Sequence, residues 1–514
     1  AARGGALVST PLRDDAARLL DAARARYTDD AEATARLDEL HRRLHEPLRL
    51  ALAGMVKAGK STLLNAMLGE RIAPTDAGEC TRVVTWYRYA ATPSVTLHRR
   101  DGEQQRLPIR RERGRLIFDL GETSADDVDW IDVGWPSSGL RSLILIDTPG
   151  IASLSQDVSA RSTTFLVPEA RPSAADAIIY LMRHLHASDM KFLESFRDTA
   201  AGQSQTVNAV AVLSRADEIG SGRIDSILSA NKVARRYELD GELASLALGV
   251  IPVAGLLAES ARTLREDEYA AFKELAALPR EDREKLLISA DRFVRPSPAT
   301  TLTEAARRAL LARFGIFGVR LATALLRRST PTSTDFAEML VQQSGLNELQ
   351  QFVREQFRTR AATLKIRGVL DGLERVLADF PRDDVDEVRG GIERIRATAH
   401  SLRELSALAR ARADGLPLAP SDAAEAERII GGKGTGPTVR LGVGDDATDE
   451  EMRAEVDRLL DRWRALGQSP LTERSAVEVC RVVTRSLEEI ASVLPAVAGT
   501  PHVVLAGGPG EGAA

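Results

Sequence analysis

Apolar residues recur at three- and four-residue steps from Leu12 through Ala16, Leu19, Ala23 and Tyr27, then at Leu37, Leu40 and Leu44. That period marks one face of a helix, so residues 12–46 read as helical, ended by Pro47. Past Pro47 the texture changes to short apolar runs alternating with helical stretches: Leu48–Ala53, Thr81–Tyr89, Ser94–His98, Leu143–Ile146, Ala177–Met182, Val207–Leu213 and Val250–Val253. Most are too short for buried helices and are bounded by Gly, Asp or Pro. They predict a mostly parallel sheet covered on both faces, with an antiparallel excursion near 81–136.

After Gly255 the helical texture returns, broken over 256–335 by Arg295-Pro296-Ser297-Pro298. Ser344-Gly345-Leu346 then opens an amphipathic helix with Leu349, Phe352, Val353 and Phe357 on one face. Two longer stripes follow, Ile366 to Phe380 and Val388 to Ala409. Pro381 between them predicts an antiparallel pair. A Gly/Pro/Asp-rich segment, 413–448, reads as a flexible linker, a last helix as 449–494, and the end from Gly507 as disordered.

Length and composition narrow the class. A chain of 514 residues is too long for one core. Charged residues make up 28% and the net charge is only −5, so no basic field argues for nucleic acid. Cys80 and Cys480 lie too far apart for a disulfide framework or a local zinc site, which points to a reducing cytosol. Neither a signal peptide nor a run of about 18 uninterrupted apolar residues is present, so any membrane contact is expected from the surface.

The strongest chemical signal is Gly54-Met55-Val56-Lys57-Ala58-Gly59-Lys60-Ser61, a phosphate-loop pattern straight after an apolar strand and at the start of a helix. Its glycines let backbone N–H groups curl around phosphates, and the helix N-terminus adds positive dipole. Lys60 reaches the β and γ phosphates, and Ser61 offers its hydroxyl to Mg²⁺. The expected phosphate-binding set is Gly54, Lys57, Ala58, Gly59, Lys60, Ser61 and Thr62. Asp147-Thr148-Pro149-Gly150 closes the next strong strand, where Asp147 can hold Mg²⁺ through water and the Gly150 N–H can sense the γ-phosphate.

Ser214-Arg215-Ala216-Asp217 ends another strand. A carboxylate there accepts both N1–H and the exocyclic amine of guanine, which adenine cannot offer, so Asp217 argues for GTP over ATP. The pattern carries Ser214 and Arg215 where guanine-binding proteins usually have Asn or Thr and Lys. Val253-Ala254-Gly255, after the last strand, is the expected place of a backbone contact to the base oxygen, with Val253 and Ala254 as the candidate residues. Thr81 is expected to complete the Mg²⁺ shell, with Thr75 as its competitor. Ile151 stands where many small GTPases carry a water-orienting glutamine. Lys57, a second cation in the loop, either points to solvent or neutralises charge on the transferring phosphate. Gly431 to Gly436 imitates a phosphate loop but follows no strand.

The order of these motifs, the long helical flanks and the Ser-Gly-Leu-x-x-Leu helix together resemble the bacterial dynamin-like GTPases. Within them the chain is most similar to the actinobacterial isoniazid-inducible proteins, their C-type members in particular. Leu52 to Thr62, Ile72 to Asp76, Thr81 to Trp86, Ser214 to Gly220, Arg313-Phe314-Gly315-Ile316-Phe317-Gly318 and Arg428 to Gly432 carry the resemblance, which covers roughly 40–495. It implies an α/β GTPase domain on an α-helical neck and trunk: a neck helix at 1–46, the GTPase domain at 47–355 with a helical insertion at about 256–335, trunk helices at 356–505 and a tail at 506–514. It also implies GTP hydrolysis to GDP, self-association through G domains, and remodelling of the plasma membrane from its cytoplasmic face. Lipid contact is then direct, through Ile429–Gly432 or Val439–Val443, or made by a partner dynamin-like protein. Two other readings stay open: a ribosome- or RNA-associated regulatory GTPase, and a nucleotide-dependent scaffold.

Overall fold

The computed structural model describes residues 4–74, 83–112, 115–117, 120, 123–150, 174–201, 208–239, 243, 245–413 and 415–495. Thr75, Cys80, Thr81, Ile151 and the tail from 506 lie outside them. The chain divides into two compact units, one through Gly415 and one from Leu416.

Among the described residues of the first unit, nine strands make the main sheet. Its parallel half runs β11 (Val250–Val253), β10 (Ala209–Ser214), β9 (Ala177–Met182), β1 (Leu48–Gly54) and β8 (Leu143–Asp147). β1, β9 and β10 are buried at every position, because helices cover both faces and leave no polar side to alternate with. β2 (Val84–Tyr89) turns antiparallel against β8, and β7 (Val128–Trp135) lies parallel to β2. β3 (Ser94–Arg99) and β4 (Gln104–Arg106) extend this wing by antiparallel pairing. β5 (Arg110–Glu112) and β6 (Arg115–Ile117) form a separate ladder. The excursion is therefore present, with β7 as a strand that the hydrophobic pattern passes over. Its acidic Asp132 interrupts the apolar run and is answered by Arg88 across the β2 pairing, 2.6 Å away.

The N-terminal helix is two helices, α1 (Gly4–Arg26) and α2 (Ala31–His45), not one. Asp30 causes the break: its side chain accepts from the Ala33 N–H and starts a new helix. Tyr27 donates to the carbonyl of Phe380 at the same point. Helix α3 (Lys60–Leu68) follows the phosphate loop, α4 (Ala187–Ala201) follows β9, and α5 (Ser226–Leu239) follows β10. After β11 come α6 (Gly255–Arg262), α7 (Glu266–Ala277), α8 (Arg280–Leu286), α9 (Ala290–Val294), α10 (Glu304–Arg328), α11 (Ser333–Gln342) and α12 (Leu346–Phe352). Helix α10 holds an 18-residue window of mean hydropathy 1.7, but half of that window is buried in this unit. Its Arg313 and Arg320 are fastened to carbonyls of neighbouring segments, which suits a core helix.

Helix α13 (Ala361–Asp379) returns to α1 and α2, followed by α14 (Asp386–Thr398) and α15 (His400–Ala413), which part at Ala399. Ala16, Leu20, Tyr27, Leu37, Leu44, Val369, Leu373, Ile392 and Leu402 share one apolar core, so the three stripes bury one another. The segment read as one trunk, 356–505, is thus divided: α13 to α15 belong with the nucleotide-binding sheet.

In the second unit, α18 (Asp449–Gln468) and α19 (Arg474–Val493) form an antiparallel hairpin. Helices α16 (Pro420–Ile429) and α17 (Pro437–Leu441) pack on α19 and α18 in turn. Here the linker reading is corrected. Gly431, Gly432 and Gly434 are buried, and the Arg428 and Arg440 side chains reach across the turn to the carbonyls of Arg440 and Ile429. Ile429, Ile430 and Leu441 are at most 1% exposed, so these apolar residues form a core rather than a lipid-facing loop.

Candidate functional site

Strand ends place the phosphate-side groups. The loop leaves β1 at Gly54 and re-enters order at Gly59, whose left-handed φ of 97° caps α3. Between them Lys57 also adopts positive φ, 62°, and its side chain stands exposed. Lys60 does the opposite. Its ammonium is buried under the loop and donates to the carbonyls of Gly54 and Met55 at 3.0 and 3.2 Å. Burial pushes its pKa down to about 8, with Asp147 pulling the other way.

Asp147 ends β8 beside Ser61, whose hydroxyl donates to Oδ2 at 2.7 Å. Oδ1 is buried and accepts no hydrogen bond among the described residues. Burial raises the pKa of this carboxylate, against the Ser61 hydroxyl and Lys60. An orphaned carboxylate oxygen beside a hydroxyl is an all-oxygen donor set short of positive charge, which a small hard cation satisfies. Thr148 locks the same corner through its hydroxyl to the Leu52 carbonyl, 2.7 Å away. Gly150 then passes so close to the phosphate loop that a Cβ there would stand 2.5 Å from Val56 Cγ2 and 2.8 Å from its Cα. Only glycine permits that approach, and it holds the Asp147 segment against the loop.

The base side is assembled from separate turns. Ala58, Gly59 and Thr62 line an open cleft together with Ser214, Arg215, Asp217 and Val253. Ser214 is buried and donates to the Met182 carbonyl. Arg215 sits at φ 53° and spans the cleft, donating to Glu218 at 2.8 Å and to the Lys57 carbonyl at 3.2 Å. Burial raises the pKa of Asp217, with its own backbone N–H acting the other way. Ala254 departs from expectation. Its N–H donates to the Ser344 carbonyl at 2.8 Å and its carbonyl accepts from Ala258, so its backbone is already engaged. Gly255, of the same expected turn, lines the cleft with Leu256. The Ser344-Gly345-Leu346 segment is therefore a brace behind β11.

Sequence reading also passes over two groups. Asn65, on α3, binds the N–H groups of Ile72 and Ala73 at 2.9 and 2.7 Å, fixing the chain as it leaves the helix. Arg71 pairs at 3.0 Å with Glu259 of α6, both nearly buried. Their signal was the polar Asn65 inside an otherwise apolar helical run.

A model of the dynamin family matches residues 50–208. The isoniazid-induced protein IniC of Mycobacterium tuberculosis is 38% identical over 462 residues, 90% of this chain and 93% of that protein. IniA of the same organism is 27% identical over 398 residues, 73% of this chain and 58% of its own length. A bacterial dynamin-like protein of Nostoc punctiforme is 33% identical over 146 residues, 26% of this chain and 20% of that one. A likeness to IniC that runs through nearly the whole of both chains, on a sheet that ends in a phosphate loop, makes this protein a GTPase of the bacterial dynamin-like family, close to the isoniazid-induced proteins.

Proposed function

We propose that the cleft binds GTP with Mg²⁺ and that turnover to GDP and phosphate is coupled to self-association through G domains and to remodelling of the plasma membrane at its cytoplasmic face. Ser61 and Asp147 would hold the cation, whose charge offsets that of the phosphates. Lys60 binds the β and γ phosphates, Asp217 accepts from guanine, and the Gly150 N–H senses the γ-phosphate. With Ile429, Ile430 and Leu441 turned inward, contact with lipid falls to other surfaces or to a partner dynamin-like protein.

One observation carries the self-association part. The loop separates its two lysines, burying Lys60 and leaving Lys57 exposed with its carbonyl held by Arg215. In a lone molecule Lys57 is solvated and weak. Apposition of a second G domain would exclude water and strengthen its field on the transferring phosphate, an effect that inserted cations turn into about 10³–10⁵ in rate.

The test is GTP turnover per molecule against protein concentration, with liposome co-sedimentation on the same preparation. Wild type should speed up with concentration. Lys57→Ala should flatten that rise while keeping GTP affinity within about a few fold, since Lys60 does the binding. Parallel curves for the two proteins would remove Lys57 from catalysis. Turnover without sedimentation would favour action through a partner.

A further inference from the structure

Helix α10 is two helices joined at a break. Gly315 lies at φ 63° and ψ 171°, far from helical values and in a region that essentially only glycine occupies. Both sides of the break are fixed. On one side Arg313 donates to the carbonyls of Ser260 and Thr263 and pairs with Glu268 at 3.0 Å, while Ser260 donates back to the Arg313 carbonyl. Phe314 is fully buried edge-on against Phe272. On the other side Phe317 is buried, and Arg320 ties the turn at Gly222 to Leu287.

The break faces the base end of the cleft. A Cβ on Gly315 would stand 3.7 Å from Asp217 Oδ2 and 4.0 Å from Leu256 Cδ2, both belonging to cleft-lining residues. Gly222, five residues after Asp217, rests on the same break, with a Cβ there 2.9 Å from Ile316 Cγ2. The Asp217 turn is thus seated on the bend of a helix nearly a hundred residues later in the chain.

We infer that Gly315 is a specificity-positioning residue: the helix break sets the Asp217 carboxylate where it reads the exocyclic amine of guanine. This rests on Asp217 being the guanine acceptor. Gly315 touches no nucleotide and acts through Asp217. A side chain at 315 fits by volume but not by backbone conformation, so the break must shift and the seat of Asp217 moves with it.

The experiment compares GDP and IDP binding by calorimetry on the full chain. The two nucleotides share phosphates, ribose and N1–H, and differ only in the amine, so a general loss of folded or competent protein lowers both alike. Wild type should prefer GDP by about ten- to a hundredfold, the worth of one hydrogen bond to a charged acceptor. Gly315→Ala should cut that preference by about tenfold or more while IDP binding falls less. Should Gly315→Ala not fold, Gly222→Ala, which presses Ile316 beside the break, decides; a smaller fall in the same ratio is expected. A folded variant of either kind that keeps the wild-type ratio overturns the inference. A wild-type protein with no preference for GDP over IDP would instead overturn the assignment of Asp217 itself.

Discussion

The two ends of the cleft are built on different plans. The phosphate end is local: the stretch Leu48 to Leu68 supplies strand, loop and helix, buries Lys60, and is met mainly by the Asp147 to Gly150 turn. The base end is composite. It gathers the turns after β10 and β11 and leans on the bend at Gly315, and its one long cation, Arg215, is half exposed. A site that must hold any nucleotide can be written into one motif. A site that must choose among bases needs rigid support from several directions, because discrimination depends on placing one carboxylate.

Breaking the phosphate end should have the larger effect. Lys60→Ala removes a buried, doubly held cation and should cost about 4–5 kcal/mol in GTP binding, enough to abolish it in a titration at micromolar protein. Retained micromolar affinity would mean that backbone groups alone bind the phosphates.

Next comes Asp217→Asn, expected to cost GTP about 2–4 kcal/mol and to admit xanthosine nucleotides, whose exocyclic oxygen accepts from the new amide. Competition binding with GTP, ATP and XTP reads this directly, and wild type binding ATP as tightly as GTP would erase the contrast between the ends.

The ends should also respond to pH in opposite directions. Lys60 has a lowered pKa of about 8 in the free protein, and bound phosphates favour its charged form. Above pH 8 binding therefore takes up a proton, and affinity should fall by about tenfold per unit. Asp217 has a raised pKa, so preference for guanine should fade on acidification earlier than an ordinary carboxylate would allow. Affinity that is flat from pH 7 to 9.5 would contradict the dry setting of Lys60.

Arg215→Ala should be the mildest change. It severs the link from the base turn to the Lys57 carbonyl, yet the group is 40% exposed, so about 1 kcal/mol or less is at stake. A loss of decades would show that the ends act as one unit.

What could be read from sequence follows the same division. Lys60, Ser61 and Asp147 were legible because strand, turn and helix signals surround them in a continuous stretch. Asp217 was legible as a strand-end carboxylate. The bend at Gly315 was not, since a glycine within a helical period looks like a weak helix, and only its contact with Asp217 explains it. The engagement of the Ala254 backbone is hidden for a related reason: the Ser344 carbonyl that accepts from its N–H lies ninety residues away. The Asp30 cap was visible as a residue type but lost within a long apolar period. The inward turn of Ile429 and Ile430 depends on how that segment packs against α18 and α19, a contact that no local pattern announces.

The mouth of β9 carries a lesson for anyone wishing to isolate the catalytic portion. Asp176 is buried, and its charge is answered largely from outside the sheet. Arg43 of α2 pairs with it at 2.6 Å, and Lys365 of α13, which donates to the carbonyls of Arg43 and Glu46, adds its field. Burial by itself would raise this carboxylate's pKa, but these cations hold it below the usual range. In the intact chain the pair therefore contributes stability at neutral pH that is lost as pH falls through that lowered value. Excision at 47–355, where the motifs suggest a clean border, would discard both of these cations and leave Arg49 alone to answer the carboxylate, which should lower the fragment's stability. A catalytic fragment that keeps this charge balance must instead carry residues 31–379, so that α2 and α13 travel with the sheet they neutralise.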